Sequence, residues 1–320
     1  MAIFVVDFIQ KEYKSNYLES HKLMSKRLIV ILGPTAIGKT ELSIQVAERL
    51  HTDIISCDSR QFYKDIPIVT AAPSAKELSR AKHHFIGMLA LDDYYSCGRF
   101  EIEALAKLEE LFLTHDDVVM VGGSMLYIDA LCNGIDDRPN VDEKLRDELW
   151  MRYESEGISN MLGELKILDP EYYEEVDPHN YKRIIHALEI CLETGKPYTE
   201  IRKQEKKQRP FDIVKIGLTL PREEMYDRIN RRTHVMIEDG AEAEARNVYQ
   251  YRHLNSLNTV GFKELFAYIG GEYSLEKAIE EIQKNTRRYA KKQMTWWKRD
   301  QEINWFSPFE KDKIFEFLGI

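Results

Sequence analysis

Cysteine is scarce in this chain, and the few cysteines present are far apart. Only four occur in 320 residues, and no two of them form a C-x-x-C pair. This spacing argues against a disulfide framework or a zinc site, and it fits a reducing, cytoplasmic environment. The four are Cys57, Cys97, Cys132 and Cys191.

Long hydrophobic runs and repeats are lacking as well. No apolar stretch is long enough to cross a membrane, so we expect a protein without a membrane anchor. The sequence shows no internal repeat or low-complexity tract, and 43% hydrophobic with 31% charged residues is usual for a globular protein. At this length we expect one large domain with an insertion, acting as a monomer.

Positive charge is in deficit. Lysine and arginine number 45 against 54 acidic residues, which gives a formal net charge of -9. No global basic field therefore indicates nucleic acid, although local basic clusters can still bind it.

The first residues carry no recognisable targeting signal. Residues 1–8 are apolar, but Asp7 interrupts them, and a basic start and a small-residue cleavage site are missing. Residues 11–25 are polar and without a clear period. We expect residues 1–24 to be a dispensable extension ahead of the folded chain.

The chain is organised around a phosphate-binding motif. Five apolar residues, 28–32, predict a buried parallel strand, and the next eight fit G-x-x-x-x-G-K-[ST]. An amphipathic helix pattern follows Thr40. Glycines let the backbone wrap an anion, and free N–H groups with the helix dipole attract it. A diphosphate or triphosphate is expected at Gly33, Pro34, Thr35, Ala36, Ile37, Gly38, Lys39 and Thr40.

Two side chains of this motif have specific chemical roles. Lys39 adds a positive charge, and Thr40 can offer its hydroxyl to Mg²⁺. A chance glycine-rich turn is the alternative, but the flanking strand and helix patterns are those that anion binding requires. The motif alone does not identify the compound that carries the phosphates.

Polar residues follow two further predicted strands at their carboxyl ends. Asp58 follows residues 53–57, and Gly122-Gly123-Ser124 follow residues 117–121. Ligands of doubly wound sheets bind at this edge, so we expect Asp58 beside the phosphate loop. Its alternative role is a helix N-cap, and the glycines serve either a close ligand or a tight turn.

The middle of the chain predicts a separate helical region. Residues 141–154, 158–168 and 180–194 have helical patterning, and a strand pattern returns only at 213–218. We therefore predict an α/β fold with a P-loop NTPase-like parallel sheet core, an all-helical insertion and a helical C-terminal region. The predicted core is residues 25–139 with 210–320, and the insertion is residues 140–209.

Two later helices carry clustered cations. Arg228 and Arg232 are four residues apart and share a helix face. Residues 286–299 form a basic helix interleaved with aromatic residues, for which composition leaves two interpretations open: a solvated charged face, or a surface that contacts a nucleic-acid backbone. The cations that the second interpretation uses are Arg287, Arg288, Lys291 and Lys292.

Three classes of phosphate-loop protein compete. A GTPase-like switch needs a guanine-reading N-K-x-D stretch, which the sequence lacks. A small-molecule kinase is usually shorter and has no such insertion or basic helix. An enzyme that expels a diphosphate needs a carboxylate near its acceptor, cations at the leaving group and a large acceptor surface. The sequence offers a candidate for each part. The carboxylate is Asp58, the cations are Lys39 and Arg232, and the acceptor surface is the insertion with the basic helix.

These segments together resemble the tRNA dimethylallyltransferase, or tRNA isopentenyltransferase, family. The resemblance runs in order over residues 25–306, through the phosphate loop and residues 55–64 and 121–127. Later matching segments are Asp177-Pro178-His179-Asn180, Lys182-Arg183-Ile184, Gly261-Phe262-Lys263-Glu264 and residues 286–296. Departures from the family pattern are small. Ser124 stands where the family usually has Thr, and Cys57 stands where it commonly has Ala. Residues 69–73 replace a Gly-Thr-Ala-Lys-Pro pattern, so that Ala72 stands in place of its lysine.

The resemblance implies transfer of a dimethylallyl group from dimethylallyl diphosphate, with Mg²⁺, to tRNA. The acceptor would be N6 of the adenosine just 3′ of the anticodon, in tRNAs reading codons that begin with U. Asp58 would take the proton of the amine, while Lys39, Arg232, Arg228 and Thr40 through Mg²⁺ would stabilise the departing diphosphate. The residues expected to face the anticodon stem-loop are Asp58, Ser59, Arg60, Gln61, Ser124, Arg146, Lys182, Arg183, Ile184, Ile185, His186 and Lys263, besides the four cations of the basic helix.

One related enzyme remains as an alternative. Adenylate isopentenyltransferase, which prenylates free AMP, would share the loop and Asp58. It would need neither the helical insertion nor the basic helix. A more distant alternative is a nucleotide-dependent kinase or ATPase acting on RNA.

Overall fold

A parallel β-sheet forms the centre of the protein. The structure, a computed structural model, describes residues 26–135, 142–202 and 206–320, so the expected extension at 1–24 lies outside the described residues. The sheet has six strands in the order β3-β2-β4-β1-β5-β6, and every neighbouring pair is parallel. The strands are β1 (Arg27–Leu32), β2 (Ile54–Cys57), β3 (His83–His84), β4 (Asp117–Gly122), β5 (Asp212–Leu218) and β6 (Ile303–Phe306).

Helices cover both faces of this sheet, as the apolar pattern of its central strand requires. Leu28, Val30 and Leu32 of β1 belong to one buried cluster, whereas Ile29 and Ile31 belong to a second. A strand buried on both faces is typical of a parallel sheet between two helical layers. The helices of this unit are α1 (Lys39–Leu50), α2 (Ala75–Leu78), α3 (Cys97–Phe112), α4 (Met125–Asn133), α10 (Arg222–Glu238), α11 (Ala241–Val248), α12 (Phe262–Ile269), α13 (Leu275–Trp297) and α14 (Lys311–Leu318).

The remaining described residues form an all-helical unit. The chain divides into a sheet-containing unit, up to Cys132 and again over Arg209–Ile320, and a second unit at Asn133–Gln208. The helices of the second unit are α5 (Glu143–Glu156), α6 (Ile158–Leu168), α7 (Pro170–Glu175), α8 (Tyr181–Thr194) and α9 (Tyr198–Ile201). They have their own buried cluster, which includes Leu149, Met161 and Leu188.

The predicted fold class is confirmed, and the boundaries between units differ in detail. The sequence places the first boundary at 139/140 and the second at 209/210, whereas the structure divides the chain at 132/133 and 208/209. Within the described residues, no helix is both long and apolar enough to cross a membrane.

Candidate active site

The phosphate loop lies where β1 meets α1. Gly38 is the N-cap of α1, with φ 104°, and no side chain caps this helix end. The first N–H groups of a helix have no intrahelical acceptor, so this end is available to an anion. Gly33 is required at the start of the loop, because a Cβ there would lie 2.9 Å from the carbonyl oxygen of Leu218.

Two arginines of α10 hold the outside of the loop. Arg228 donates from Nε to the carbonyl oxygen of Ala36 at 2.9 Å, and Arg232 donates to the Thr35 hydroxyl. Ala36 has a positive φ of 64°, which a non-glycine residue adopts only when its surroundings enforce it. The two arginines that share a helix face therefore also share a structural task at the loop.

Lys39 is turned onto the loop that carries it. Its Nζ donates to the carbonyl oxygens of Gly33 and Pro34, both at 2.9 Å. Burial lowers the pKa of this ammonium group to about 8, Asp58 opposes the shift, and Arg232 adds to it. Burial also lowers the pKa of the Arg232 guanidinium, against the attraction of Asp58. The site thus concentrates positive charge away from water, as a polyanion requires.

Asp58 follows β2 and begins a turn. Its Oδ1 accepts the N–H of Arg60 at 3.0 Å, which closes a local turn. The helix N-cap interpretation of Asp58 is wrong, because a turn and not a helix follows it. The carboxylate lines the same cavity as Lys39 and Thr40.

The turn after β4 approaches this carboxylate closely. A Cβ on Gly122 would lie 1.8 Å from the carbonyl oxygen of Cys57, so only glycine lets the two strand ends come together. Ser124 then joins the turns, because its Oγ accepts the N–H of Ser59 at 2.8 Å and donates to the Ser59 hydroxyl at 3.1 Å. The tight-turn interpretation of the glycines therefore describes this segment, and the group that Gly122 approaches is the backbone of β2.

Two adjoining cavities meet at Asp58. The first, of about 380 Å³, contains the phosphate loop, and the second, of about 480 Å³, extends past Ser124 and Lys263. Both lie within the sheet-containing unit. The residues that line both are Thr35, Ala36, Asp58, Thr70, Arg232 and Tyr289.

Some residues expected at tRNA have their polar groups engaged inside the protein. The Arg60 guanidinium donates to the carbonyl oxygens of Asn255 and Ser256 at 2.7 and 3.0 Å. The Gln61 amide donates to those of Thr70 and Ala71 at 3.2 and 2.9 Å. These two side chains therefore shape the cavity walls. The Ser124 hydroxyl is used likewise, although Ser59, Arg60 and Ser124 do line the second cavity.

In the helical unit, the residues expected at tRNA separate into two groups. Lys182 and Arg183 are exposed at the start of α8. Ile184 and Ile185 are 0% and 1% exposed and belong to the buried cluster, so the expectation that they face tRNA is corrected: they are core residues. Arg146 and His186 are part-buried, and both contact Glu189, at 3.3 and 3.4 Å.

Helix α13 has one charged face and one buried face. Arg288, Lys291 and Lys292 are exposed, and Lys292 and the exposed Lys263 line the second cavity. Arg287 differs from them, because it donates to Asn230 Oδ1 at 2.7 Å and lies over the Tyr226 ring. The inward face includes Ala290, Gln293 and Trp297.

Two residues of this helix line the site but were not predicted from the sequence. Gln293 and Tyr289 line the first cavity, and Tyr289 also lines the second. Their only signal was a position inside a segment that already matched the family. A glutamine and a tyrosine within a basic, aromatic helix do not otherwise reveal that they face a cavity.

Comparisons with known proteins identify relatives of this chain. The model of the family described as IPP transferase matches residues 61–300. A "tRNA dimethylallyltransferase 1" of Phocaeicola vulgatus is 55% identical over 295 residues, which cover 92% of this chain and 98% of the relative. One of the same name from Bacteroides fragilis is 55% identical over 296 residues, with the same coverage.

Solved structures of two enzymes share the fold. The full-length tRNA isopentenylpyrophosphate transferase from Bacillus halodurans has a TM-score of 0.68 at 34% identity, covering 92% of this chain and 96% of its own. A eukaryotic dimethylallyltransferase, described in crystallographic snapshots as acting on tRNA, has a TM-score of 0.78 at 27% identity. The match covers 92% of this chain and 80% of that one.

Proposed function

The chain belongs to the IPP transferase family, among the tRNA dimethylallyltransferases, and from this premise we propose how it modifies tRNA. It transfers a dimethylallyl group from dimethylallyl diphosphate to the exocyclic N6 of an adenosine. The adenosine is the one just 3′ of the anticodon in tRNAs that read codons beginning with U. Free AMP is not favoured as acceptor, since the relatives at 55% identity are named for tRNA.

The junction of the two cavities carries this proposal. A diphosphate at the phosphate loop occupies the first cavity, and the acceptor base enters through the second, so that they meet beside Asp58. A base inside a stacked anticodon loop must be turned out of the stack to reach such a site. Two cavities that share part of their lining would give the small donor and the large acceptor separate approaches.

The charge around the loop suits a diphosphate leaving group. As the bond between the allylic carbon and the diphosphate oxygen breaks, negative charge gathers on the diphosphate. Lys39, Arg228 and Arg232 lie at the loop, and the uncapped N-terminus of α1 adds its N–H groups. Preorganised cations and amides aimed at developing charge are a large source of catalysis in such sites.

The residues at this cavity also suit a magnesium ion. Mg²⁺ prefers oxygen ligands and, at phosphate sites, uses one or two protein groups besides substrate oxygens and water. The Thr40 hydroxyl and the Asp58 carboxylate both line the first cavity. We propose Thr40 as the residue that would hold the ion, which would supply further positive charge at the diphosphate. Clusters of three or more His, Cys, Asp or Glu that could bind a metal were not found within the described residues.

Asp58 provides the base that the acceptor needs. The N6 amine is a weak nucleophile, because its lone pair is delocalised into the adenine ring. When N6 attacks the allylic carbon, a C–N bond forms, the C–O bond to the diphosphate breaks, and one N6 proton must leave. Asp58, at the border of both cavities, accepts that proton, which is worth roughly 10²–10⁴-fold in rate.

Each unit has exposed cations that we propose as contacts for the anticodon stem-loop. In the sheet-containing unit they are Arg288, Lys291 and Lys292 of α13 and Lys263 of α12, and in the helical unit they are Lys182 and Arg183. Each can neutralise a backbone phosphate without reading sequence. The net charge of -9 is compatible with this, because the cations are local. We further propose that the protein acts as a monomer and works in the cytoplasm, where tRNA resides.

One experiment tests the reaction. The protein is incubated with Mg²⁺ and dimethylallyl diphosphate labelled in its prenyl carbons, together with bulk tRNA, AMP or no acceptor. We expect label in tRNA, at the adenosine next to the anticodon, and none in AMP. The Lys39→Ala variant serves as the control, since it keeps the fold but weakens diphosphate binding. Label in AMP alone, or in neither acceptor, would contradict the proposal.

A further inference from the structure

The buried amide of Gln293 bridges two loops of the active site. Its side chain enters from α13 and is only 1% exposed. Its Oε1 accepts the N–H of Thr35 at 3.2 Å, and its Nε2 donates to the carbonyl oxygen of Gly123 at 2.8 Å. Because one partner is a donor and the other an acceptor, only one orientation of the amide satisfies both.

The bridge lies beside the groups that carry the chemistry. Thr35 belongs to the phosphate loop and Gly123 to the turn after β4. A Cβ placed on Gly123 would lie 2.8 Å from Gln293 Nε2, 3.8 Å from Lys39 Nζ and 3.9 Å from Asp58 Oδ2. A shift of the phosphate loop, which holds Lys39 Nζ through the carbonyl oxygens of Gly33 and Pro34, would therefore change the position of the lysine relative to the carboxylate.

The Thr35 N–H is engaged by Gln293, unlike the N–H groups at the uncapped helix end. The free N–H groups of the helix end begin after Gly38, whereas Thr35 lies earlier and is directed at Gln293. Arg232 holds the hydroxyl of the same residue, and Arg228 holds the strained Ala36 that follows it. Gln293 completes a set of three side chains that fix this part of the loop from outside.

We infer that Gln293 is a positioning residue for diphosphate binding: its amide ties the phosphate loop to the turn after β4 and holds the loop in the shape that receives the anion. This inference rests on the proposed function of the loop. It also gives α13 two tasks, since the same helix presents Arg288, Lys291 and Lys292 on its outer face.

Two variants disturb the bridge from opposite ends. Gln293→Met keeps the length of the side chain and removes both hydrogen bonds. Gly123→Ala leaves Gln293 in place, but its methyl group displaces the Nε2 atom. Thr52→Val is the matched control, because it also removes a buried hydrogen bond to a backbone carbonyl oxygen. That oxygen belongs to Asp117, at the amino end of β4 and so away from the phosphate loop.

Titration with inorganic pyrophosphate in a calorimeter is the test, at a temperature at which thermal melts show each variant to be folded. Without the bridge, the free loop spends part of its time in shapes that do not receive the anion, which predicts an affinity about tenfold weaker for both bridge variants and an unchanged affinity for Thr52→Val. In steady-state assays, the KM for the prenyl diphosphate rises and the Kd for tRNA stays constant. A purely structural role would instead weaken the binding of pyrophosphate, prenyl diphosphate and tRNA together.

The outcomes separate this inference from the function on which it rests. If wild-type protein binds no pyrophosphate, the proposed role of the loop fails and the inference fails with it. If wild-type protein binds and both variants bind equally well or more tightly, only the inference is overturned, because Gln293 then competes with the anion or does nothing. If Gln293→Met does not fold, Gly123→Ala decides.

Discussion

Lys39 and Asp58 both extend their charged groups to Gly123. A Cβ on Gly123 would lie 3.8 Å from Lys39 Nζ and 3.9 Å from Asp58 Oδ2. Burial is the largest influence on the lysine and lowers its pKa to about 8, although the carboxylate favours the charged form. The free site therefore holds an ammonium group that loses its proton within an accessible pH range.

Diphosphate affinity should depend on pH through Lys39. A bound polyanion favours the ammonium form, so the pKa of Lys39 in the complex lies above its value of about 8 in the free protein. Below pH 8 the lysine is charged in both states and affinity does not vary on its account. Above pH 8, binding takes up a proton, and affinity falls by up to about tenfold per pH unit until the pKa of the complex is reached.

The measurement is a series of pyrophosphate titrations from about pH 6.5 to 9.5. Pyrophosphate itself ionises in this range, so Lys39→Arg serves as the control, because an arginine stays charged throughout. The ratio of the two affinities removes the contribution of the ligand. A ratio that is constant with pH would show that Lys39 does not titrate at this site.

The outer face of α13 should set the salt dependence of tRNA binding. Replacing Arg288, Lys291 and Lys292 by alanine removes three exposed cations. If each contacts a phosphate, the slope of log K against log salt becomes shallower by about three, and affinity for pyrophosphate is unchanged. Lys277→Ala is the control, since it lies on the same helix but is paired with Glu280 and Glu281. An unaltered slope would identify this face as merely solvated.

Within α8, neighbouring residues should affect different properties. Ile184→Ala opens a cavity in the core of the helical unit and should lower the free energy of unfolding by about 2–5 kcal/mol. Replacing the exposed Lys182 and Arg183 by alanine should leave the thermal melt within a degree or so of wild type but weaken tRNA binding. Melts and filter binding distinguish the two. Equal loss of stability in both variants would contradict this division.

Contiguous patterns made much of the fold predictable. The strand and phosphate loop at 28–40 form one uninterrupted signal, and β2, β4 and β5 each lie in a short, mostly apolar run. Strand β6 has only four residues, so its signal was too short to be predicted. The helical insertion was visible because its apolar period changes from that of strands to that of helices.

The site was less predictable, because its contacts join distant parts of the chain. Arg60 binds carbonyl groups almost 200 residues away, and Gln293 reaches a loop 258 residues away. No local pattern encodes such pairs. Ile184 and Ile185 are different, since their apolar character already placed them on the inward face of a helix. Taking residues 182–186 as one contact segment disregarded that periodicity.

Asp58→Asn separates a base from a turn residue. Asn keeps the size of the side chain and an oxygen that can accept the Arg60 N–H, so the turn and the fold should persist. The amide cannot take a proton from N6. We therefore expect a thermal melt and a tRNA affinity close to those of wild type, with prenyl transfer slower by roughly 10²–10⁴-fold.

The rate must be measured in a single turnover, with enzyme in excess over labelled donor and tRNA already bound. Slow release of modified tRNA could otherwise hide a chemical defect at steady state. A change at the neighbouring Gln61, such as Gln61→Glu, cannot replace Asp58→Asn in this test. It would disturb the hydrogen bonds from the Gln61 amide to the carbonyl oxygens of Thr70 and Ala71, which shape the cavity. If Asp58→Asn melts and reacts like wild type, the carboxylate only stabilises the turn that it closes with the Arg60 N–H. The deprotonation of the amine would then require another group at the junction of the two cavities, where Tyr289 is the remaining side chain with a titratable oxygen.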